Sequence, residues 1–291
     1  MNTIEFSGET YDPKLLLKKL FDAGVLAVKP KEILENFIKI VNSEVIIKTQ
    51  NKEFKYINIK RIFPICIGKA SVETAETINK IFNKTKVKLE EGIVVVNKEN
   101  YREIKGFKCF ISGHPLPDRN GIVASKYVIK YLKKTQNDDL VLVFISGGGS
   151  SLLPLPVDSI ELREKININR LLLESGANIN EINTVRKHLS KIKGGNLTNH
   201  CAPASLHSLI LSDVMGDEFS SISSGLTVPD PTTFRDVKKI LVKYKIWNHV
   251  SINVKKYIEK GLKDISLETP KQDNLVFRKS KNTLIGSNTI S

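Results

Sequence analysis

Residues 141–153 read VLVFISGGGSSLL, an apolar run followed by a serine, three glycines and two more serines. A short apolar run bounded by glycine and serine is typical of a buried strand that ends in a tight loop. Similar short strands, rich in β-branched residues, are predicted at residues 61–67, 92–96, 108–111, 140–145 and 206–211. Stretches with helical spacing lie between and around them, at residues 14–28, 32–40, 71–82, 119–134, 159–174 and 233–243. This alternation predicts an α/β fold in which helices cover both faces of a mostly parallel sheet.

The composition is that of a globular protein. The chain has 291 residues, of which 41% are hydrophobic and 26% charged, and no window approaches the roughly 18 consecutive apolar residues that span a bilayer. The first residues, MNTIEFSGETYDPK, lack the basic and apolar regions of a secretory signal. There are three cysteines, Cys66, Cys109 and Cys201, and no C-x-x-C pair. This pattern indicates neither a disulfide framework nor a zinc site, so we expect a reducing, cytoplasmic setting.

The net charge is +14, from 45 Lys and Arg against 31 Asp and Glu. Such an excess raises the question of nucleic acid binding. The basic residues are spread along the chain, however, without a block of about five like charges and without interleaved stacking aromatics. We therefore expect neither a nucleic acid nor a membrane partner. The positive charge is attributed to solvated faces, and its field also favours a small anionic substrate.

Four loops follow predicted strands, where a parallel sheet binds its ligands. The first holds Gly68 and Lys69, a tight turn and an ammonium at the start of a helix, which suit an anion. The second, residues 113–118, is stiffened by two prolines and carries His114 and Asp118. Both side chains are candidate substrate ligands, and capping of the following helix is the alternative role for Asp118.

The third loop, residues 146–151, contains the three consecutive glycines. It does not fit G-x-x-x-x-G-K-[ST], so it is not a Walker A loop. Leu152 stands where both the dinucleotide fingerprint G-x-G-x-x-G and the nucleophile elbow G-x-S-x-G require glycine. What remains is a series of backbone N–H groups flanked by hydroxyls, which suits phosphate oxygens. The candidate phosphate-binding residues are Ser146, Gly147, Gly148, Gly149 and Ser150.

Charged residues are concentrated in two further segments. The fourth loop carries Asp213 and Asp217 around a glycine turn, and these carboxylates suit a magnesium ion or a general base. Helix capping or a solvated turn is the alternative for both. Between the third and fourth loops lies a basic segment with Arg186, Lys187 and His188. Because it joins two candidate ligand loops, it is a candidate for anion recognition, and a solvated basic helix face is the alternative.

Together these loops resemble those of one family. The family is that of the glycerate 2-kinases, the type II glycerate kinases that end in a MOFRL domain. Similar motifs occur there in the same order as in this chain, which reads GKA, SGHPLPD, ISGGGSSLL, LLLESGANINEINTVRKHLSKIKGG, LILSDVMGD and SSGLTVPDPTTF. The tail YIEKGLKDISLETPKQDNLVFRKSKNTLIGSN is similar to the family's continuation, so the resemblance covers nearly the whole chain. It implies ATP-dependent phosphorylation of D-glycerate to 2-phosphoglycerate with Mg²⁺. It also implies a Rossmann-like α/β/α sandwich joined to a smaller C-terminal domain.

The resemblance assigns roles to the residues that match the motifs. Lys69 and Asp213 would be catalytic, the lysine holding the transferred phosphate and the aspartate acting as base or metal-associated carboxylate. Asp217 would lie behind Asp213 as a metal ligand, and residues 146–150 would line the nucleotide phosphates. The implied substrate-binding residues are His114, Asp118, Arg186, Lys187 and His188.

The same resemblance divides the chain. We expect residues 1–245 to form the Rossmann-like domain and residues 246–291 to begin the connection to a MOFRL domain that the sequence lacks; the last ten residues, NTLIGSNTIS, read as a strand that enters a turn. Because the MOFRL domain contributes a cationic residue to the family's cleft, we expect impaired activity, and a separate MOFRL fragment or a homodimer as partner. Two alternatives stay open: a hydroxypyruvate reductase-type dehydrogenase, and a nucleotide-binding remnant without turnover.

Overall fold

A computed structural model describes residues 4–6, 9–27, 29–42, 44–49, 51–83 and 85–287. The strands are β1 (Ile4–Phe6), β2 (Glu9–Tyr11), β3 (Ile38–Val41), β4 (Glu44–Lys48), β5 (Glu53–Tyr56), β6 (Arg61–Ile67), β7 (Lys88–Leu89), β8 (Gly92–Val96), β9 (Phe107–Ile111), β10 (Asp139–Ile145), β11 (Ser205–Leu211) and β12 (Ser280–Gly286). The α-helices are α1 (Pro13–Ala27), α2 (Pro30–Phe37), α3 (Ser71–Phe82), α4 (Arg119–Leu132), α5 (Gly149–Leu152), α6 (Leu162–Glu174), α7 (Ile179–His188), α8 (Asn196–Cys201), α9 (Phe234–Lys243) and α10 (Ile252–Gly261).

The central sheet has seven parallel strands. Its order is β12-β11-β10-β6-β8-β9, with the short β7 beside the start of β6. Numbered along the chain, the six longer strands give 3-2-1-4-5-6 from β9 to β12, the order of doubly wound dinucleotide-binding folds. The predicted Rossmann-like sandwich with a mostly parallel sheet is therefore confirmed. The strand order reverses between β6 and β10, and ligands of such sheets bind beyond the carboxyl ends of the strands at this switch point.

Helices pack on both faces of the sheet because successive side chains of a strand point to opposite sides. On β10, Val141 and Val143 belong to a buried cluster with α4, whereas Leu140 and Leu142 belong to a second cluster with α2 and α3. β10 is buried along its whole length. It is thus the centre of the fold, and the glycine-rich loop at its carboxyl end is held by a rigid strand.

A third buried cluster joins α6, α7, α9 and α10 beside the sheet, around residues such as Val185 and Phe234. The start of α7 is fixed by a capping box, in which the Asn178 side chain accepts from Glu181 N and the Glu181 carboxylate accepts from Asn178 N. This packing fixes which side chains of α7 face the sheet and which face α9.

One predicted element is corrected by the structure, and the C-terminal segment can be placed. The helix predicted to reach residue 40 ends at Phe37, and the β-branched residues that follow form β3, the first strand of an antiparallel sheet with β4 and β5. The segment after residue 245, expected to begin a connection, contributes α10 to the third cluster and β12 to the central sheet. The end of the predicted terminal turn, residues 288–291, lies outside the described residues. Among the helices described, none is both long and apolar enough to cross a bilayer.

Candidate active site

The loops that follow β6 and β10 are hydrogen-bonded to each other. β6 and β10 are neighbours in the sheet, so their carboxyl ends lie side by side. The Ser146 hydroxyl donates to Ile67 O at 3.3 Å and accepts from Ala70 N at 3.1 Å. Lys69 N donates to Gly147 O at 3.0 Å. Ser146 is buried in these contacts, so it holds the two loops together rather than facing the cleft.

The consecutive glycines are explained by what lies against them. A Cβ atom on Gly147 would overlap Oδ2 of Asp213. Gly148 has φ of 92°, and a Cβ there would lie 3.0 Å from Cδ2 of His114 and 3.8 Å from Cε of Lys69. Three predicted site residues from three different loops therefore border two adjacent glycines. Their convergence needs bare backbone at this point, because any side chain would push them apart.

The glycine-rich loop presents free donors. The N–H groups of Gly147, Gly148, Gly149 and Ser150 make no hydrogen bond within the part of the chain that the structure describes. They come directly before and within the first turn of α5, where helical N–H groups have no intrahelical acceptor. Four adjacent amides with Lys69 beside them form a concave, positively polarised surface. Such a surface can hold the oxygens of a phosphate or a carboxylate.

A second layer of polar side chains supports this loop and was missed in the sequence. Ser224 Oγ donates to Asn183 Oδ1 at 2.9 Å and lies 2.8 Å from Ser150 Oγ, which is then the donor to it. Ser223 and Ser224 have left-handed φ values of 51° and 57°, which are unfavourable for residues other than glycine. Asn183 Nδ2 and Ser223 Oγ are buried and have no hydrogen-bond partner among the residues that the structure describes. Strained backbone and unpaired buried polar atoms at one place are typical of ligand sites.

The fourth loop supplies one carboxylate to the cleft. Asp213 is exposed and borders Gly147, as described above. Asp217 lies further along, in a turn with φ of 50°, where its N–H donates to Val214 O. Within the described ranges no three His, Cys, Asp or Glu side chains are grouped to chelate a metal ion. One carboxylate beside a phosphate cradle nevertheless fits Mg²⁺, which is commonly held by one or two carboxylates together with substrate phosphates.

A cavity of about 240 Å³ opens beside the glycine-rich loop. Gly148 and Ser150 form one side of it, and His114 borders it from the second loop. Its other walls come from α6, α7 and the segment after α7, and they include three cations: Lys165, Arg186 and Lys193. Arg186 thus lies where the sequence predicted a substrate ligand, while Lys165 was not predicted.

The other two basic residues of the predicted substrate segment point away from this cavity. Lys187 Nζ lies 3.4 Å from Asp230 Oδ1, and both side chains are buried. His188 Nδ1 donates to Thr184 O at 2.9 Å, and its Nε2 lies 3.1 Å from Glu268 Oε2. Neighbouring residues of a helix point about 100° apart. The helical geometry of α7 therefore separates Arg186 from Lys187 and His188, whose partners indicate a structural role.

Asp118 also has a structural partner. Its carboxylate accepts from Gly121 N at 2.9 Å and caps the start of α4. The side chain does not line the cavity beside the glycine-rich loop. The contacts of Asp118 are therefore those of a helix cap, which was the alternative role considered for it in the sequence. The residues that the structure brings together are Lys69, His114, residues 147–150, Arg186 and Asp213.

Comparison with known proteins identifies proteins of similar sequence. Residues 16–259 match the family described as Domain of unknown function (DUF4147). The chain is 39% identical to the glycerate 2-kinase of Pyrococcus horikoshii over 273 residues, which are 94% of this chain and 59% of that protein. It is 37% identical to the D-glycerate 2-kinase of Thermotoga maritima over 235 residues, 80% of this chain and 55% of that protein. The chain thus spans little more than half the length of these two relatives.

A solved structure shares the fold. A crystal structure of a Pyrococcus horikoshii protein superposes with a TM-score of 0.85 at 38% sequence identity. The match covers 96% of this chain and 61% of that one. The fold is therefore shared over nearly the whole of this chain.

Proposed function

Because this chain belongs to the DUF4147 family and its relatives include glycerate 2-kinases, we propose that its cleft transfers the γ-phosphoryl group of ATP to the 2-hydroxyl of D-glycerate. The observation that carries the proposal is the convergence of Lys69, His114 and Asp213 on the four unpaired amides of residues 147–150. Phosphoryl transfer depends mainly on positioning and on neutralising charge. Fixed amides, a lysine and a carboxylate at one switch point meet that requirement.

Each group has a role in this reaction. The amides of residues 147–150 hold the phosphate oxygens of the nucleotide, and the Lys69 ammonium neutralises the transferred group. The Asp213 carboxylate accepts the proton of the glycerate hydroxyl as its oxygen bonds to phosphorus and the bond to the ADP oxygen breaks. Mg²⁺, when bound, neutralises further phosphate charge. We propose Asp217, which lies behind Asp213 in the same loop, as a ligand of the ion; association with the metal is the alternative to the role of Asp213 as base.

The rest of the cleft belongs to the proposal as well. The wall opposite the glycine-rich loop is assigned to a C-terminal domain of the MOFRL type, as part of the same protein or as a separate chain, and a homodimer is the alternative partner. A cytoplasmic location goes with this proposal, since Cys66, Cys109 and Cys201 are free thiols. A dehydrogenase is less well supported, because the turn after β6 reads Gly68-Lys69-Ala70 and has no G-x-G-x-x-G fingerprint.

Ligand titration tests the proposal directly. We expect Mg²⁺–ATP to raise the melting temperature of the chain and NADH to leave it unchanged. Lys69→Ala should weaken nucleotide binding, whereas Lys126→Ala, an exposed lysine on α4, should not. Stabilisation by NADH but not by ATP would overturn the kinase assignment. ADP formation with D-glycerate, assayed with the C-terminal domain present, separates a kinase from a nucleotide-binding remnant.

A further inference from the structure

The cavity beside the glycine-rich loop has an unusual charge balance. Among the residues that the structure describes, Lys165, Arg186 and Lys193 line it as cations, and no carboxylate does. Lys165 and Lys193 are 7% and 1% exposed. Buried cations are normally paired with acidic groups, because removal from water strongly disfavours an isolated charge. This excess of positive charge is typical of a site in which a bound anionic ligand supplies the counter-charge.

The three cations are held in place but keep most of their donors free. Lys165 Nζ donates to Pro154 O at 2.9 Å, and Lys193 Nζ donates to Ser150 O at 2.7 Å. Arg186 Nε donates to Asn169 Oδ1 at 2.6 Å. An ammonium has three N–H donors and a guanidinium has five. Two donors on each lysine and the terminal nitrogens of the arginine therefore have no acceptor in the structure's described ranges.

Size and lining restrict the ligand. At about 240 Å³ the cavity is smaller than the roughly 300–1,000 Å³ typical of drug-sized ligands. Leu172, Val185 and Leu189 form an apolar part of the wall. Gly148 and Ser150 are shared with the phosphate-binding loop, and Lys193 is anchored on that same serine. A small organic anion held here would therefore lie directly beside the phosphate-binding loop.

We propose that this cavity is the carboxylate pocket for the hydroxy acid, with Lys165, Arg186 and Lys193 as its ligands. This inference rests on the proposed function and specifies where its acceptor substrate binds. It replaces Lys187, whose ammonium pairs with Asp230, and His188, whose ring contacts Glu268, with two lysines from α6 and the segment after α7. Because Gly148 and Ser150 line this cavity, a hydroxy acid bound here lies next to the amides of the glycine-rich loop.

A second consequence concerns protons. Burial, together with repulsion from Arg186, lowers the pKa of Lys165 to about 7, and burial lowers the pKa of Lys193 well below its usual range. The other titratable group that borders the cavity is His114, and Lys69 lies near its Gly148 wall. An anion favours the charged form of each lysine, so its binding draws protons from solution.

Calorimetry with D-glycerate on the full chain tests the pocket. We expect Lys165→Met and Lys193→Met to weaken binding by about 10- to 100-fold, as loss of a charged hydrogen bond usually does. The matched control is Lys191→Met, which removes a half-buried lysine two residues from Lys193 that is paired with the exposed Asp158. It should change the affinity less than about twofold. Circular dichroism of each variant establishes that it is folded.

Proton uptake gives a second readout that a purely structural role would not produce. At pH 8, in buffers of different ionisation enthalpy, binding to the wild-type chain should take up about one proton or more per glycerate, and less in Lys165→Met. The assignment of this cavity as the carboxylate pocket would be wrong if both folded variants kept the wild-type affinity for glycerate, or if the wild type did not bind glycerate. Mg²⁺–ATP affinity, measured on the same samples, tests the nucleotide loop separately, so a failure of the pocket is distinguishable from a failure of the kinase assignment.

Discussion

Two buried basic clusters meet at α7 and differ in what neutralises them. On one side Arg186, with Lys165 and Lys193, faces a cavity that is lined by no carboxylate from the described part of the chain. On the other side Lys187 and His188 contact Asp230 and Glu268. Both sets consist of basic residues, and Arg186 is directly followed in sequence by Lys187 and His188. The comparison shows that a buried lysine is structural where the fold supplies its counter-ion and becomes a candidate ligand where it does not.

The cluster of Lys187, His188, Asp230 and Glu268 is called the paired cluster below. It is also the more completely hydrogen-bonded of the two. Asp230, fully buried, accepts from Thr232 Oγ1 at 2.7 Å and Thr269 Oγ1 at 3.0 Å, besides its contact with Lys187. Lys271 donates to Glu268 and to Thr269. This network joins α7 to the segments before α9 and after α10. It therefore stabilises the fold whether or not a ligand is bound.

The largest effect is expected from removing the central carboxylate of the paired cluster. Asp230→Ala leaves the Lys187 ammonium buried without its counter-ion. We expect a loss of about 3–5 kcal/mol in the free energy of unfolding. Urea denaturation followed by circular dichroism measures it. A loss below about 1 kcal/mol would show that the two clusters do not differ in whether a carboxylate neutralises their buried basic groups.

A matched pair of lysine substitutions should separate the clusters next. Lys187→Met strands the Asp230 carboxylate and should cost about 2–3 kcal/mol. Lys193→Met removes a buried amine that no carboxylate pairs with in the described residues, so stability should stay within about 1 kcal/mol or increase. The same denaturation experiment compares them. Equal destabilisation by both would contradict the assignment of Lys193 to a ligand site.

The pH dependence of stability should distinguish the clusters on the alkaline side. The pKa of Lys165 is lowered from 10.5 to about 7 by burial and by Arg186. Between these values the unfolded chain binds more protons at this site than the folded chain, so its contribution makes stability rise with pH. Thermal melts at pH 7–9 should show a smaller rise for Lys165→Met than for wild type. Glycerate affinity should change in the opposite direction and weaken as pH increases above 7.

The acid side reports on the paired cluster. Burial acts to raise the pKa of Glu268, but hydrogen bonds from His188, Phe234 N and Lys271 outweigh it and lower the pKa from 4.5 to about 2. The stability from these bonds is present above about pH 4.5 and is lost as the pH falls through 2. Glu268→Gln should therefore show a shallower loss of stability in melts from pH 5 to 3. An unaltered acid limb would show that the carboxylate is not held this way.

The smallest effect is expected at the surface. Lys191 pairs with Asp158 at 2.8 Å, but the aspartate side chain is 88% exposed. Exposed pairs of this kind contribute little, so Lys191→Met should change the free energy of unfolding by less than about 0.5 kcal/mol. A larger change would mean that Lys191 is unsuitable as the reference for its buried neighbours.

Much of the architecture could be read from the sequence because it depends on local patterns. The strand at residues 61–67 and the helix at residues 71–82 occur with the predicted bounds. The antiparallel sheet of β3, β4 and β5 was missed, because Ile38 and Ile40 continue an apolar periodicity that a helix would also show. The position of Lys165 carried a signal as well. It stands three and seven residues before Ile168 and Leu172, on the buried face of α6.

By itself the sequence determined the strand-end loops and the residue types they carry: three glycines at 147–149, Lys69, His114 and Asp213. Glycines, apolar runs and helix caps act on the nearest few residues, so their structural consequences can be predicted from the local sequence. Only the tertiary structure decided which charges meet. It turned Arg186 toward the cavity, gave Lys187 the buried Asp230, and brought Lys165 beside Lys193. Those pairings join residues far apart in the chain, and no local pattern encodes them because burial and partner, rather than residue type, set the free energy of a charge.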